Sequence, residues 1–162
     1  MQLGKGVEWT THICTVLALL PEDRGISVDA LAEFFEVPSA YLSKQMQLLR
    51  RAGVVRSVRG KGGGYRLARG VDAITLLDIV TAIEGPMPAF RCTEIRQKGP
   101  CKLKRSDCKA PCEVAAAFAE AEQVYRDALS ARTLASIMQE AAANATPEHL
   151  TDIAIWVQNQ IA

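Results

Sequence analysis

Four of the five cysteines, Cys92, Cys101, Cys108 and Cys112, fall within 21 positions at C-x8-C-x6-C-x3-C spacing. Thiolates gathered this closely bind soft metals or exchange disulfides. A structural zinc site ordinarily contains a C-x2-C knuckle, and this segment has none. Looser spacing on a long loop better suits an iron–sulphur cluster, whose wider cage takes thiolates from several directions. Seven Lys and Arg side chains between Arg91 and Lys109 offset the charge of thiolates and cluster and favour ionised thiols. Two other readings stay open for the same residues: a thiol–disulfide sensor without a cluster, and inert cysteines. The fifth, Cys14, lies in an apolar run and reads as a small core residue.

Glu8 and His12 form a second constellation. They are four apart near the start of a helix and share a face. By themselves they are a solvated surface pair. If the cysteine loop of another subunit reaches that face, both become non-thiolate ligands to iron.

A third constellation is cationic. Arg59 and Lys61 flank a run containing Gly62, Gly63 and Gly64, residue types that permit positive φ and close backbone approach, with charge at the tip where a wing meets a minor groove. The plainer reading is a solvated hairpin with incidental charge.

These residues need elements to hold them. Val7 to Leu20 has no Gly or Pro and is closed by Pro21, which predicts a first helix. Ser27 caps a second, SVDALAEFF, with Val28, Leu31, Ala32 and Phe35 as its buried stripe. After the break at Val37-Pro38, Ser39 caps a third, AYLSKQMQLLRRA, which buries Leu42, Met46 and Leu49. Its Tyr41, Lys44, Gln45, Gln47 and Arg51 point elsewhere, and Gly53 stops it. VVRSV and YRLA around RGKGGG predict a β-hairpin. Three helices and a hairpin make a winged helix-turn-helix, with the third helix in the major groove. Ser39, Tyr41, Lys44, Gln45, Gln47, Arg51, Arg59, Lys61, Gly62, Gly63 and Tyr65 are then the candidate DNA contacts.

Thr75 caps a fourth helix, with Asp78 as its capping-box partner. Residues 86–112 form a Pro-, Lys- and Cys-rich loop with too little periodicity for regular structure. Glu113 to about Ala143 predicts one long Ala-rich helix with Val114, Phe118, Ala121, Tyr125 and Leu129 on a stripe. At ~1.5 Å per residue it would span roughly 45 Å, so a twin in a second copy is expected to pack on it. Thr146 and Pro147 start a last helix expected to lie against the long helix of one or other subunit. The fold class is therefore mainly α with a small hairpin wing. Its parts are a DNA-binding domain at 1–85, a cluster-binding loop at 86–112, and dimerisation and C-terminal helices at 113–162.

The chain has 162 residues, 49% of them apolar, and a net charge of +1. Such a composition excludes a disordered tail as the main state. Near-neutrality hides a cancellation. Residues 1–36 hold two basic and six acidic side chains, whereas 37–70 hold eight basic and none acidic. One surface is thus suited to phosphate. Apolar runs are too short to span a membrane and no leader pattern is present, so a cytoplasmic location is expected.

SAYLSKQMQLLRRAGVVRSVRGKGGGYRLAR, TLLDIVTAIEG and the cysteine loop after them resemble the IscR and NsrR family of bacterial winged-helix regulators, up to about Gln139. The resemblance implies a homodimer on palindromic promoter DNA, with an iron–sulphur cluster between loop cysteines and the first helix of the other subunit. GVEW followed by His12, and PAFRCTEIRQKGP around Cys92, are closest to a redox-responsive member whose 2Fe-2S cluster is held by one Cys, one Glu and two His. Cys92, Glu8 and His12 match that set. The second histidine does not: its place falls near Phe34 or Phe35, and His149 lies in the last helix.

Two ligand sets follow. One is Cys92, Cys101 and Cys108 completed by Glu8 or His12 of the partner; the other is Glu8, His12 and Cys92 with a second thiolate. Cys112 is an alternate. A 2Fe-2S cluster is favoured, with 4Fe-4S as the alternative. The expected protein is a dimeric transcription regulator of redox, nitrosative or iron–sulphur state, not an enzyme, with a cluster-free thiol–disulfide regulator as the alternative.

Overall fold

The computed structural model describes residues 3–60 and 62–161. Helix α1, Lys5–Leu17, forms the centre of the core with Ile13, Cys14, Val16 and Leu17 inward. Its buried Thr10 hydroxyl donates to the Gly6 carbonyl at 2.7 Å and so is not stranded. Burial pushes the Cys14 thiol up to about 12, in keeping with a core residue rather than a reactive one. α1 stops three residues short of Leu20, because the residue before Pro21 is driven out of helical geometry and the chain tightens into turns first.

Helices α2, Val28–Phe34, and α3, Ser39–Arg51, make the helix-turn-helix. Ser27 caps α2 by accepting from the Ala30 N–H at 3.1 Å. The turn follows from Glu36 at φ 50, where the Val37 N–H reaches the Ala32 carbonyl and the Glu36 N–H reaches Glu33. Ser39 is not the cap of α3, as expected, but its first helical residue. Pro38 takes the cap position, and the Ser39 hydroxyl donates instead to the Asp29 carboxylate of α2, tying the two helices. Leu42, Met46 and Leu49 are buried as expected, and Gly53 at φ 70 ends the helix.

Strands β1, Val55–Val58, and β2, Gly64–Leu67, pair antiparallel with Val55 opposite Leu67. Ile26 adds a one-residue third strand, exchanging bonds with Tyr65 at 3.0 and 2.8 Å. This approach depends on Gly64, whose φ is +146 and where a Cβ would lie 2.2 Å from the Ile26 oxygen.

Helix α4, Leu76–Glu84, has the expected capping box: the Asp78 N–H donates to Thr75 Oγ1 at 3.1 Å, and the Thr75 N–H to Asp78 Oδ2 at 2.8 Å. The expected long helix is two helices, α5, Glu113–Ser130, and α6, Leu134–Asn144. α5 therefore spans about 27 Å at ~1.5 Å per residue, not 45. The break is tertiary. The Leu76 N–H donates to Arg132 at 2.9 Å and the Leu134 N–H to Ile74 at 2.7 Å, pairing Thr75 with Thr133, each the cap of its own helix. The repeated Thr-Leu at 75–76 and 133–134 was the signal available in the sequence.

Helix α7, Pro147–Ile161, begins under Thr146, whose hydroxyl accepts from the His149 N–H. The expectation for it is a place against the long helix. Within the chain it packs on the helix-turn-helix, with Trp156 on Phe34 at 4.3 Å between ring centroids and Val157 buried, and it lines an apolar cleft with Met138, Ala141 and Ala142 of α6. Leu134 and Val157 thus join the same core as Ile13 and Leu42.

Gly64→Ala is expected to destabilise by about 2–4 kcal/mol, read as a lower urea midpoint, since either the Ile26 bridge or the hairpin must give. Burial works against ionisation of Asp78, but Thr75 and Arg69 outweigh it and hold the carboxyl below its ordinary value. That contribution is fully present above the unfolded value of about 3.9 and is lost as pH falls through the lower folded value. Asp78→Asn should therefore lower stability near neutrality and flatten the acid limb of urea midpoint against pH.

Candidate nucleic-acid interface and cysteine loop

The exposed side of α3 carries Tyr41, Lys44, Gln47, Arg50 and Arg51, with Ser39 half-buried at its start. Gln45 departs from expectation. It is 8% exposed and turned towards α1, where a Cβ on Gly6 would meet its amide at 3.0 Å. Its Oε1 is buried with no hydrogen-bond partner among the described residues. Gln45 occupies an inward position of the α3 period beside Met46, and polarity alone suggested a surface residue. Tyr41 sits edge-on to Trp9 of α1 at 5.4 Å, so the start of α3 is held by the helix that carries Glu8 and His12.

At the wing, Arg59 is exposed, and Gly60 and Gly62 have φ of 96 and 75. The Gly63 N–H donates to Gly60 at 2.9 Å, and a Cβ on Gly63 would lie 2.6 Å from the Val58 oxygen. These glycines allow the hairpin end to turn tightly enough to present Arg59. Tyr65 is half-buried and packs on the core, its backbone held by Ile26. Lys61 lies outside the described residues.

The cysteine loop runs from α4 to α5 with two short 3-10 turns, Ile95–Gln97 and Arg105–Asp107. Its first part is anchored on α5: Phe90 stacks on Phe118 at 4.5 Å, and the Ala89 N–H donates to the Glu122 carboxylate at 3.0 Å. Arg96, absent from the sequence-derived candidates, staples the rest. Its Nε donates to Glu94 at 2.9 Å and its Nη2 to the Ala110 carbonyl at 2.8 Å, while Nη1 lies 3.8 Å from Glu113. The ion pair lowers the Glu94 pKa and raises that of Arg96, and the charges of Cys108 and Cys112 add to the second effect. One of seven similar cations gave no sign in sequence of that role.

All four loop cysteines are free thiols. Cys92 and Cys101 are exposed, and the Cys92 sulphur accepts from the Glu94 N–H at 3.4 Å. Cys108 and Cys112 are half-buried, the former near a cleft lined by Arg96, Arg105 and Lys109. Glu8 and His12 are both on α1 and both exposed, with the His12 ring 6.3 Å from that of Phe35. Among the described residues, no three Cys, His, Asp or Glu side chains converge to hold a metal. As donors these residues fit an iron–sulphur cluster, being accessible thiols on a cationic loop; within one chain they do not form a finished cage.

Helix α5 buries no residue, and Val114, Phe118 and Val124 are 56%, 51% and 66% exposed. An apolar face of this kind marks an interface. Among the described residues no helix is long and apolar enough to cross a membrane.

Comparison with known proteins agrees with this architecture. YffB of Lactococcus lactis subsp. lactis, described as an HTH-type transcriptional regulator, is 33% identical over 141 residues, 86% of this chain and 88% of its own. Among solved structures, IscR of T. potens has a TM-score of 0.65 at 22% identity, covering 93% of this chain and 96% of that one. CymR of B. subtilis, the global cysteine regulator, has 0.63 at 23%, covering 86% and 98%. Both show the fold alone. The oxidized form of Staphylococcus aureus CymR has 0.60 at 25% identity, covering 85% and 96%. Residues 3–140 match the family Rrf2, described as an iron-dependent transcriptional regulator. With its helix-turn-helix, hairpin wing and cysteine loop, the chain belongs to the Rrf2 family of transcriptional regulators.

Proposed function

We propose that the chain works as a homodimer that binds promoter DNA through α3 and the wing and senses redox, nitrosative or iron–sulphur state through loop 86–112. The DNA reading is carried by one observation: the acid-free stretch 37–70 exposes Lys44, Arg50, Arg51, Arg56 and Arg59 on the recognition helix and hairpin of a winged helix-turn-helix. Tyr41 and Gln47 are suited to base edges or phosphate, and Ser39 to phosphate near the start of α3. Gln45, being inward, positions α3 rather than touching DNA. The exposed apolar face of α5 supports pairing with a second copy, which would set the spacing of two recognition helices about one DNA turn apart.

An iron–sulphur cluster suits the loop's donor chemistry, with Cys92, Cys101 and Cys108 as thiolates and Glu8 or His12 of a second copy completing the set. Cys112 is the alternate. When bound, such a cluster supplies one-electron redox chemistry, and nitrogen or oxygen ligands raise its potential. The residues of this chain do the rest: Arg96 holds the loop closed on Glu94 and Ala110, and Trp9 joins the helix of Glu8 and His12 to Tyr41 of α3. The four free thiols of the loop support a second reading in which oxidation pairs two of them without metal.

Replacing Arg59 and Lys61 by Ala should weaken promoter binding, and the slope of log K against log salt should fall by about 0.9 for every phosphate that is no longer neutralised. Fluorescence anisotropy across a salt series measures both, and unchanged affinity and slope would count against the wing. Anaerobic purification with iron and sulphide analysis should give a coloured protein whose spectrum changes in Cys92→Ser and in Glu8→Ala. A colourless, iron-free protein that still binds DNA and responds reversibly to oxidant would instead establish the thiol reading.

A further inference from the structure

The hairpin carries a second cationic feature, away from its tip. Arg56 of β1 and Arg66 of β2 stand directly opposite each other in the register. Like charges in that position repel, and a two-stranded ribbon has little stability in reserve. Arg66 is half-buried, and its Nε and Nη1 are cut off from solvent with no hydrogen-bond partner among the described residues. A guanidinium stays charged and presents its donors in a fixed fork, so two buried donors without an acceptor are costly.

Both arginines line a cleft of about 420 Å³ between the hairpin and the end of α1, together with Arg69. Leu17 and Leu20 supply its apolar wall. Arg69 leans on Asp78 through Nη2 at 3.4 Å, which leaves its other donors available. The one acidic residue in the lining is Glu22, and it forms no salt bridge among the described residues.

We infer that this cleft binds a phosphate group, held by Arg66 and Arg56 with Arg69 at its margin. A phosphate oxyanion matches the fork of a guanidinium, relieves the repulsion between Arg56 and Arg66, and supplies Arg66 with the acceptors it lacks. None of the three arginines is among the cluster ligands or the wing-tip contacts, so the site stands apart from the sensing chemistry. Two sources present the same chemistry: the backbone of bound DNA, and a free phosphorylated small molecule.

The test uses the full chain, wild type and the variants Arg66→Met and Arg56→Gln, titrated with inorganic phosphate at constant ionic strength. Thermal midpoint is the readout. A saturable rise is expected for the wild type, with affinity weakened by about tenfold or more in each variant, the effect of losing a charged hydrogen bond. Arg66→Met puts an apolar chain where a buried charge stood, so its midpoint without phosphate should be unchanged or higher. Should it fail to fold, Arg56→Gln, at an exposed position, carries the comparison. No saturable rise in the wild type, or equal responses from all folded proteins, overturns the inference.

A duplex then separates the sources, and either outcome supports the site. Competition between phosphate and duplex, with a salt slope reduced by about one in Arg66→Met, assigns it to the DNA backbone. Phosphate binding retained by the protein–DNA complex, with an unchanged slope, assigns it to a free ligand. Because the first readout needs no DNA, its failure is distinguishable from failure of the DNA-binding reading.

Discussion

Two backbone hydrogen bonds, Leu76 N–H to the Arg132 carbonyl and Leu134 N–H to the Ile74 carbonyl, hold the two halves of the chain in register. Each also sets a helix start, since Thr75 and Thr133 lie opposite each other and cap α4 and α6. Between them α4 stays on the core, where it buries Ile79, while the cysteine loop and α5 lead away from it and return to the same place. An excursion with both ends pinned can present a long exposed helix and an irregular loop without loosening the DNA-binding unit. It also brings Leu134 into the core beside Ile74 and leads the chain on to α7, whose Trp156 closes over Phe34.

The helix-turn-helix is secured by similarly local means. The Ser39 hydroxyl bonds α3 to Asp29 of α2, and Gln45 faces α1 at Gly6, where a Cβ would come within a tight 3.0 Å of the amide. The orientation of the DNA-facing side of α3 therefore depends on groups on its inner side. On the hairpin, Gly64 lets the backbone pass close to Ile26 and so fixes the wing to the strand-like residue before α2. The recognition helix and wing are two surfaces of one packed unit, not independent appendages.

Charge organises the remainder. Net charge is +1, yet the basic side chains concentrate along α3, on the hairpin, and around the loop thiols. Arg96 shows how such a cation serves structure first, bonding Glu94 and Ala110 so that the loop has a defined path. Arg66 is the opposite case, a half-buried cation on the hairpin whose Nε and Nη1 have no acceptor among the described residues.

Local patterns determined much of this protein. Apolar spacing in α1 to α3, the Ser27 and Thr75 caps, the Gly53 stop and the glycine-rich hairpin turn are short-range properties, and each is legible from neighbouring residues. So is the segregation of charge into 37–70, and with the family resemblance it sufficed for a winged-helix regulator. What tertiary structure decided were the features whose cause lies far along the chain. An Ala-rich run with good helix propensity is broken at Thr133 because a partner 58 positions earlier takes its backbone bonds. Ser39 gives up the cap to reach Asp29, Gln45 turns inward because Gly6 makes space, and α7 folds back because Phe34 offers a face. The four loop thiols, close in sequence, are not gathered in one chain, since an irregular loop takes its path from what it touches, here Arg96 and α5, and spacing carries no record of those contacts.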